Sequence, residues 1–437
     1  MTRQRLRRLG WNFLDQGLVS ATGSVVTVQG AATLPPAEFG QLSAALAAYY
    51  FLLTTMRALV SEVYMVRFAG APDRVPPGVA RWAQAITVRF SLVPAAGVLA
   101  LAVVAPISAG GRRILLALAV ALPLLLWQEV RRSVLLASAR PARSAASSGL
   151  VLAGQLVGGL VLHVTVGTSG AALLLSWAAS AALAVGCVPA SVDRGRRGGP
   201  VGIRRWLADG RAYWPRFLAQ DMAQGGASQV ALLLVAAAAG TVVVGGIRAA
   251  LLLLAPLLVL QQAAVQFALA EATRVPARQR RRFVAVCQAG GVIAGTGWLL
   301  VLDLTPRAGL HLVVGDNLTA GLSALPGMAL FVVGSLLLAA PVAALRGSGQ
   351  VQAGMALGLA LVPVLLGGPT VVAVLGGSAA EVAGAFGAFG VLSSLVWTLA
   401  CVVILRRPRS GPAAVRPATT YGRGIGGGRL ESGRRGA

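Results

Sequence analysis

The chain of 437 residues is 56% hydrophobic and only 12% charged, about half the charged share of a typical soluble protein. Its apolar residues lie in long runs that do not alternate, which excludes a soluble multidomain enzyme and argues against a transmembrane β-barrel. The formal charge is +25 and all 38 basic residues are arginine. Because these arginines lie between apolar runs, membrane topology explains them better than nucleic-acid binding.

The apolar runs predict twelve membrane-spanning helices. They cover residues 11–31, 41–62, 83–105, 113–135, 147–167, 171–190, 216–238, 243–268, 284–304, 322–345, 351–375 and 379–405. The first and seventh are the weakest because each contains polar side chains, and ten spans remain without them. With the N-terminus in the cytosol, 32 of the 38 arginines fall in cytosolic segments and only 3 in outer loops. We therefore predict a multi-pass plasma-membrane protein with both termini in the cytosol.

The twelve spans divide into two sets of six with the same orientation, as in a parallel-repeat transporter. We predict an all-α integral membrane fold of two six-helix lobes, related by a parallel pseudo-repeat, around a central cavity. The N-terminal lobe covers 1–190, a cytosolic linker 191–215, the C-terminal lobe 216–405, and a disordered basic cytosolic tail 406–437.

Two features of the chain support this organisation. Asp15 precedes Gly40 by 25 residues, and Asp221 precedes Gly246 by the same distance, which is a faint internal repeat. Within the linker, residues 203–217 place aromatic and aliphatic side chains on one helical face and charged side chains on the other. This pattern predicts an amphipathic helix at the membrane surface, with its aromatic rings at headgroup depth.

Ionisable residues inside the predicted spans are the functional candidates, because they are costly in lipid and usually face a cavity or each other. Arg57 and Arg89 lie toward the cytosolic ends of spans two and three, and Arg248 lies near the outer end of span eight. Arginine is always charged and binds phosphate through paired hydrogen bonds, so these residues predict an anion-binding cavity. The alternative is that Arg248 reaches the outer headgroups, while Arg57 and Arg89 reach the cytosolic ones or pair with Glu62 and Glu129.

Four acidic residues complete the candidate set. Glu129 lies one helical turn before Arg132, which predicts a structural ion pair. Asp15 and Asp221 lie in the first turns of spans one and seven, where they either favour the helix N-terminus or bind a coupling ion. Glu62 lies at the inner end of span two. The sequence has no HExxH, P-loop or GxSxG motif, so we expect no enzyme activity, no metal and no cofactor.

Short motifs occur at three places in the first half of the chain. They are residues 11–17 (WNFLDQG), residues 37–40 (AEFG), and residues 127–135 (WQEVRRSVL) followed by 139–141 (ARP). In their order and topological placement they resemble bacterial oligosaccharide flippases of the multidrug/oligosaccharidyl-lipid/polysaccharide exporter superfamily. The resemblance implies two six-helix lobes around a cavity that faces each side of the bacterial plasma membrane in turn. It also implies transport of undecaprenyl-pyrophosphate-linked sugars from the cytosolic to the outer leaflet.

We therefore expect a flippase for a polyprenyl-pyrophosphate-linked saccharide in cell-surface polysaccharide biosynthesis, with Arg57, Arg89 and Arg248 as the cavity cations. The expected partners are the lipid-linked saccharide, membrane lipids and polysaccharide-assembly proteins, and not nucleic acid. One alternative is an exporter of small organic cations from the same superfamily, which would favour an acidic cavity. Others are a peptidoglycan-precursor flippase and a membrane glycosyltransferase, which would need paired carboxylates on the outer face.

Overall fold

The computed structural model describes residues 3–68, 78–165, 167–188, 203–272, 275–276, 279–348 and 350–406, and the regular secondary structure in this part is entirely helical. The helices in chain order are α1 (Arg3–Thr33), α2 (Pro36–Met56), α3 (Glu62–Phe68), α4 (Val79–Val104), α5 (Ala109–Ala137), α6 (Pro141–Thr165), α7 (Gly170–Cys187), α8 (Ile203–Asp209), α9 (Trp214–Asp221), α10 (Ala227–Ala239), α11 (Thr241–Leu253), α12 (Ala255–Ala272), α13 (Arg280–Leu304), α14 (Arg307–Val314), α15 (Leu318–Gly347), α16 (Val351–Val374) and α17 (Ala379–Arg406). Two π-helical segments interrupt this series, Arg57–Ser61 between α2 and α3 and Met222–Gly226 between α9 and α10. The predicted tail beyond residue 406 and the linker residues 191–202 lie outside the described residues.

Nine helical stretches in the described ranges are long and apolar enough to cross a membrane. A tenth is formed if α11 and the first part of α12, which meet at 66°, count as one broken span. The prediction of an all-helical, multi-pass membrane protein is confirmed. The first and seventh predicted spans do not qualify. The helix α1 is rich in polar residues, and α10, the apolar part of the seventh span, is only 13 residues long.

The helices pack into two groups that meet along α2. In the first half of the chain α1 packs on α6, and α5 packs on α4 and α7. In the second half α15 is the central helix and contacts α11, α12, α13 and α17. The halves meet where α2 packs on α10 and α11 and where α1 packs on α14. Leu42 and Leu46 of α2 and Val244 and Ile247 of α11 are fully buried, so the core continues across this junction.

The crossing of α2 and α11 depends on two glycines. A Cβ atom at Gly40 would overlap the carbonyl oxygen of Thr241, and a Cβ atom at Gly245 would lie 3.1 Å from the Cα atom of Gly40. Helix backbones in membranes approach this closely only where small residues face each other. The absence of side chains at these two positions therefore sets the distance between the two halves.

We expect Gly40→Ala to lower the melting temperature of the purified protein, because the added methyl group forces α2 and α11 apart. Overpacking of this kind costs about 1–3 kcal/mol, which exceeds the gain in helix propensity of about 1 kcal/mol. Gly97→Ala in α4 is the matched control, since nothing lies within 4 Å of its added Cβ atom. Thermal unfolding in detergent, followed by tryptophan fluorescence, measures both. Equal melting temperatures for the two variants would contradict the close crossing.

Candidate functional site

A cavity of about 460 Å³ lies at the junction of the two halves. This volume is in the range of sites that bind small molecules. Its wall combines charged, amide, hydroxyl and aromatic side chains from both halves, among them Gln16, Ser20, Ser24, Thr27, Tyr49, Tyr50, Arg57, Gln128, Glu129, Ser148, Trp177, Gln229, Arg248 and Gln262. We call it the central cavity. A wall of this composition is suited to a polar and charged ligand.

Arg57 reaches the central cavity from the π segment that follows α2. Its Nε donates a hydrogen bond of 2.8 Å to Oε1 of Glu129, and 35% of its side chain remains exposed. The extra residue of a π-helical turn re-aims side chains, and such turns are frequent at functional sites. Arg57 therefore pairs with Glu129 and also lines the cavity. The sequence leaves these two placements as alternatives, and the structure shows both.

Arg132 is the centre of a buried charge network behind the cavity wall. Its Nη2 and Nε donate to the two oxygens of Glu129 at 2.8 and 3.1 Å, and its Nη1 donates to Oδ2 of Asp15 at 2.7 Å. Asp15 also accepts hydrogen bonds of 3.0 and 2.8 Å from the hydroxyls of Ser144 and Ser148. The predicted pair of Glu129 and Arg132 is confirmed. The network ties α1, α5 and α6 together and holds the carboxylate that Arg57 binds.

The acidic residues at positions 15 and 221 do not lie at helix starts, which corrects the interpretation made from the sequence. The helix α1 begins at Arg3, so Asp15 lies about three turns inside it and its charge is held by Arg132. Asp221 is the last residue of α9, and its side chain hydrogen bonds to that of Glu62. The coupling-ion role suggested for these acids stays a prediction.

Arg248 of α11 is a cavity-lining cation that forms no ion pair with an acidic residue of the described part of the chain. Its guanidinium carbon lies 5.5 Å from the centre of the Tyr50 ring, a cation–π distance. Its Nε and Nη2 atoms are buried and have no hydrogen-bond partner among the described residues. A buried, unsatisfied charged donor is expensive, so such a group normally has a ligand or water as its partner. The side chain lies beside Tyr50 and lines the cavity, and its role as a substrate-binding cation stays a prediction.

The cavity wall carries an excess of positive charge. Arg57 and Arg248 line it with one acidic residue, Glu129, whose carboxylate also binds Arg132. In surroundings of low dielectric constant an uncompensated charge acts strongly on a ligand. The arrangement can therefore bind an anionic group and disfavours a cationic one.

Arg89 lies away from the central cavity. Its side chain is exposed on α4. It lines neither the central cavity nor a second cavity of about 230 Å³ in the C-terminal half. This placement argues against the prediction that Arg89 is a cavity cation, because an arginine on a helix surface can extend along it to the headgroups.

Among the described residues, no group of three or more His, Cys, Asp or Glu side chains is arranged to hold a metal.

We expect Arg89→Gln to leave both stability and ligand binding unchanged. Exposed substitutions away from buried networks usually change the free energy of unfolding by less than about 0.5 kcal/mol. Thermal unfolding and ligand titration of the purified variant measure the two effects. A loss of ligand affinity would show that Arg89 contributes to the ligand-binding site.

No protein-family model and no curated protein matches this chain. Solved structures of transporters do match it over most of its length. The Lipid II flippase MurJ in its inward closed conformation aligns with a TM-score of 0.67 at 10% identity, over 90% of this chain and 91% of that one. An inward-facing MATE family multidrug resistance transporter of the MOP superfamily aligns with a TM-score of 0.62 at 12% identity, over 90% and 98%.

A third similar structure is a MOP superfamily transporter from Pyrococcus furiosus whose binding pocket is described as having reverse polarity. It aligns with a TM-score of 0.52 at 14% identity, over 92% of this chain and 95% of that one. At these identities the likeness shows the fold alone. The chain is a multi-pass membrane protein with the helical fold of MOP superfamily transporters, a fold shared by a drug transporter and a lipid flippase.

Proposed function

We propose that this chain is a flippase that moves a polyprenyl-pyrophosphate-linked saccharide from the inner to the outer leaflet of a bacterial plasma membrane. The observation that carries the proposal is Arg248, which lies on the wall of a cavity between the two halves and whose Nε and Nη2 atoms have no partner in the part of the chain that the structure describes. The planar fork of an arginine fits phosphate oxygens through paired hydrogen bonds. Arg57, partly exposed on the same cavity, supplies a second cation for a pyrophosphate.

The remaining wall suits the saccharide. Amide side chains such as Gln16, Gln128 and Gln229 can donate to and accept from sugar hydroxyls, and Oε1 of Gln229 has no partner among the described residues. Tyr49 and Trp177, whose rings pack edge to face with 4.9 Å between their centroids, also line the wall. A charged headgroup cannot cross hydrocarbon unaided because burial of its charge and hydroxyls costs too much. The cavity would replace its water while the prenyl tail stays in the bilayer.

We further propose that transport proceeds by alternating access of two lobes, 1–190 and 216–405, joined by the linker 191–215, with both termini in the cytosol. The packing supports this division, because most helices contact helices of their own half. The flippase would act in cell-surface polysaccharide biosynthesis, without enzyme activity or cofactor and with polysaccharide-assembly proteins as neighbours.

The second candidate is a flippase for the peptidoglycan precursor. The fold shared with the Lipid II flippase favours it, and the central cavity would bind its headgroup through the same chemistry. A multidrug resistance transporter has the same fold, so an exporter of small organic cations is a third candidate, but the positive excess on the cavity wall disfavours a cationic substrate. A membrane glycosyltransferase is the least favoured, because the similar solved structures are transporters.

Translocation in proteoliposomes tests the proposal. The purified chain is reconstituted with a labelled polyprenyl-pyrophosphate saccharide, and the exposure of the sugar to an added glycosidase is followed. We expect the protein to move the labelled sugar between leaflets and not to move an organic cation such as ethidium. Transport of ethidium with no movement of the lipid would overturn the proposal in favour of a cation exporter. Growth of a strain depleted of its peptidoglycan-precursor flippase, rescued by this chain, would favour the second candidate.

A further inference from the structure

The segment that connects the two halves packs one face against the π segment that carries Arg57. We call residues 203–221 the connecting strap. Trp206 of α8 is only 4% exposed, and its Nε1 donates a hydrogen bond of 3.0 Å to the carbonyl oxygen of Leu59. Gly210 is buried next to Val63. The strap thus touches the protein two residues beyond Arg57. The ring of Trp206 packs against the protein, and the headgroup depth that the amphipathic pattern predicted for the aromatic rings stays a prediction.

The two helices of the strap are tied to each other. A turn at residues 210–213 separates α8 from α9, where the sequence predicts a continuous helix. Across this turn Nε1 of Trp214 donates a hydrogen bond of 3.1 Å to the carbonyl oxygen of Leu207. The rings of Tyr213 and Phe217 stack with 6.5 Å between their centroids. The residues on the outer face of the strap are therefore linked to Trp206 through contacts within the strap.

The other face of the strap is basic and does not pack against the helices of the bundle. Arg204, Arg205, Arg211 and Arg216 are all exposed, and Asp209 is the one acidic residue in the sequence between positions 203 and 216. The positive-inside rule explains the sign of this charge. Arg204 and Arg205 face away from the bundle while Trp206 of the same helix is buried in it, so the two faces of α8 have opposite surroundings.

We propose that the basic face of the connecting strap binds anionic phospholipid headgroups, and that the bound lipid holds the strap on the π segment and so fixes Arg57. The cytosolic leaflet attracts basic segments next to a membrane, with a gain of about fivefold in affinity for each arginine. Tyr213, exposed beside these arginines, has the amphipathic ring that is enriched at headgroup level. This inference does not depend on which substrate the central cavity carries.

Hydrogen exchange of the full chain in nanodiscs tests the proposal. The protein is compared in phosphatidylcholine alone and in phosphatidylcholine with phosphatidylglycerol, and exchange is read in peptides that cover residues 57–63 and 203–221. We expect phosphatidylglycerol to slow exchange several-fold in both segments. The combined variant Arg204→Gln, Arg205→Gln and Arg211→Gln should lose this response and bind phosphatidylglycerol about 100-fold more weakly by native mass spectrometry. The matched control is Arg112→Gln with Arg113→Gln, two exposed arginines at the start of α5 that should leave the response intact.

A second variant separates lipid binding from its effect on Arg57. Trp206→Phe removes the hydrogen bond to Leu59 and keeps the basic face, so phosphatidylglycerol should still slow exchange fully in the strap but less than in the wild type in residues 57–63, where the contact between Asp221 and Glu62 remains. Equal exchange of the wild type in the two kinds of nanodisc would overturn the proposal, as would a full response in the triple arginine variant. A response to inorganic phosphate in phosphatidylcholine nanodiscs, equal to that of the lipid, would also overturn it by assigning the patch to a soluble anion.

Discussion

Arg132→Ala should unfold the protein at temperatures at which the wild type is stable, and this is the largest stability effect that we expect. The substitution leaves the carboxylates of Asp15 and Glu129 inside the protein without their common partner, at 1% and 5% side-chain exposure. Removal of one partner from a buried ion pair costs about 3–5 kcal/mol. Thermal unfolding in detergent, followed by circular dichroism, measures the loss.

Two further variants define what the network contributes. Asp15→Asn should cost less, because the asparagine oxygen still accepts hydrogen bonds from Ser144 and Ser148. Arg57→Ala should cost the least, because its side chain is 35% exposed and Glu129 keeps Arg132. If Arg57→Ala lowered the melting temperature as much as Arg132→Ala, the division into a structural arginine and a ligand-binding arginine would be wrong.

Arg248→Gln should abolish transport and should keep or increase the stability of the protein, in contrast to Arg132→Ala, which should unfold it. The guanidinium of Arg248 has two buried nitrogens without partners among the described residues, so its removal relieves a desolvation cost. Truncation of a charged group that a ligand needs costs about 2–5 kcal/mol, which lowers the rate or affinity by on the order of 100-fold. Melting temperature and lipid translocation in proteoliposomes, measured on the same preparation, check both parts.

Arg89→Gln is the control for this experiment because it removes the same charge from a helix surface. It should match the wild type in both measurements. A large fall in the melting temperature of Arg248→Gln would show that this arginine stabilises the fold through contacts other than a ligand.

The sequence predicts local features of the site better than features that depend on packing. Glu129 and Arg132 are one turn apart on α5, so their pairing follows from helical spacing alone. The contact between Arg132 and Asp15 joins residues 117 positions apart and exists because of how α1 packs beside α5 and α6. The sequence alone therefore gives no signal for the partner of Asp15.

The sequence predicts how deep a residue lies along a membrane span, but it does not predict which side of the helix faces the protein interior. Arg89 and Arg248 both lie in apolar helices, and one is exposed on the surface of α4 while the other lines the cavity. Lipid and protein core are equally apolar, so the hydrophobic pattern of a span does not show which face is inside. This is why Arg89 was expected in the cavity.

Three features in and around the site have weak sequence signals or none. Ser144 and Ser148 are four residues apart on α6 and therefore share a face, a signal that could have indicated a polar contact for this helix. The π segment that re-aims Arg57 has no sequence pattern of its own, and neither does the docking of Trp206 on Leu59. Both follow from contacts between distant parts of the chain.

The central claim is that Arg248 binds the pyrophosphate of the passenger, and a comparison of two lipids tests it most directly. Binding of a short-chain polyprenyl-pyrophosphate saccharide and of the same prenyl saccharide with a neutral linkage is measured by calorimetry for the wild type and for Arg248→Gln. We predict that the wild type prefers the pyrophosphate by about 100-fold and that the variant binds the two lipids with similar affinity. An undiminished preference in the variant would contradict the claim.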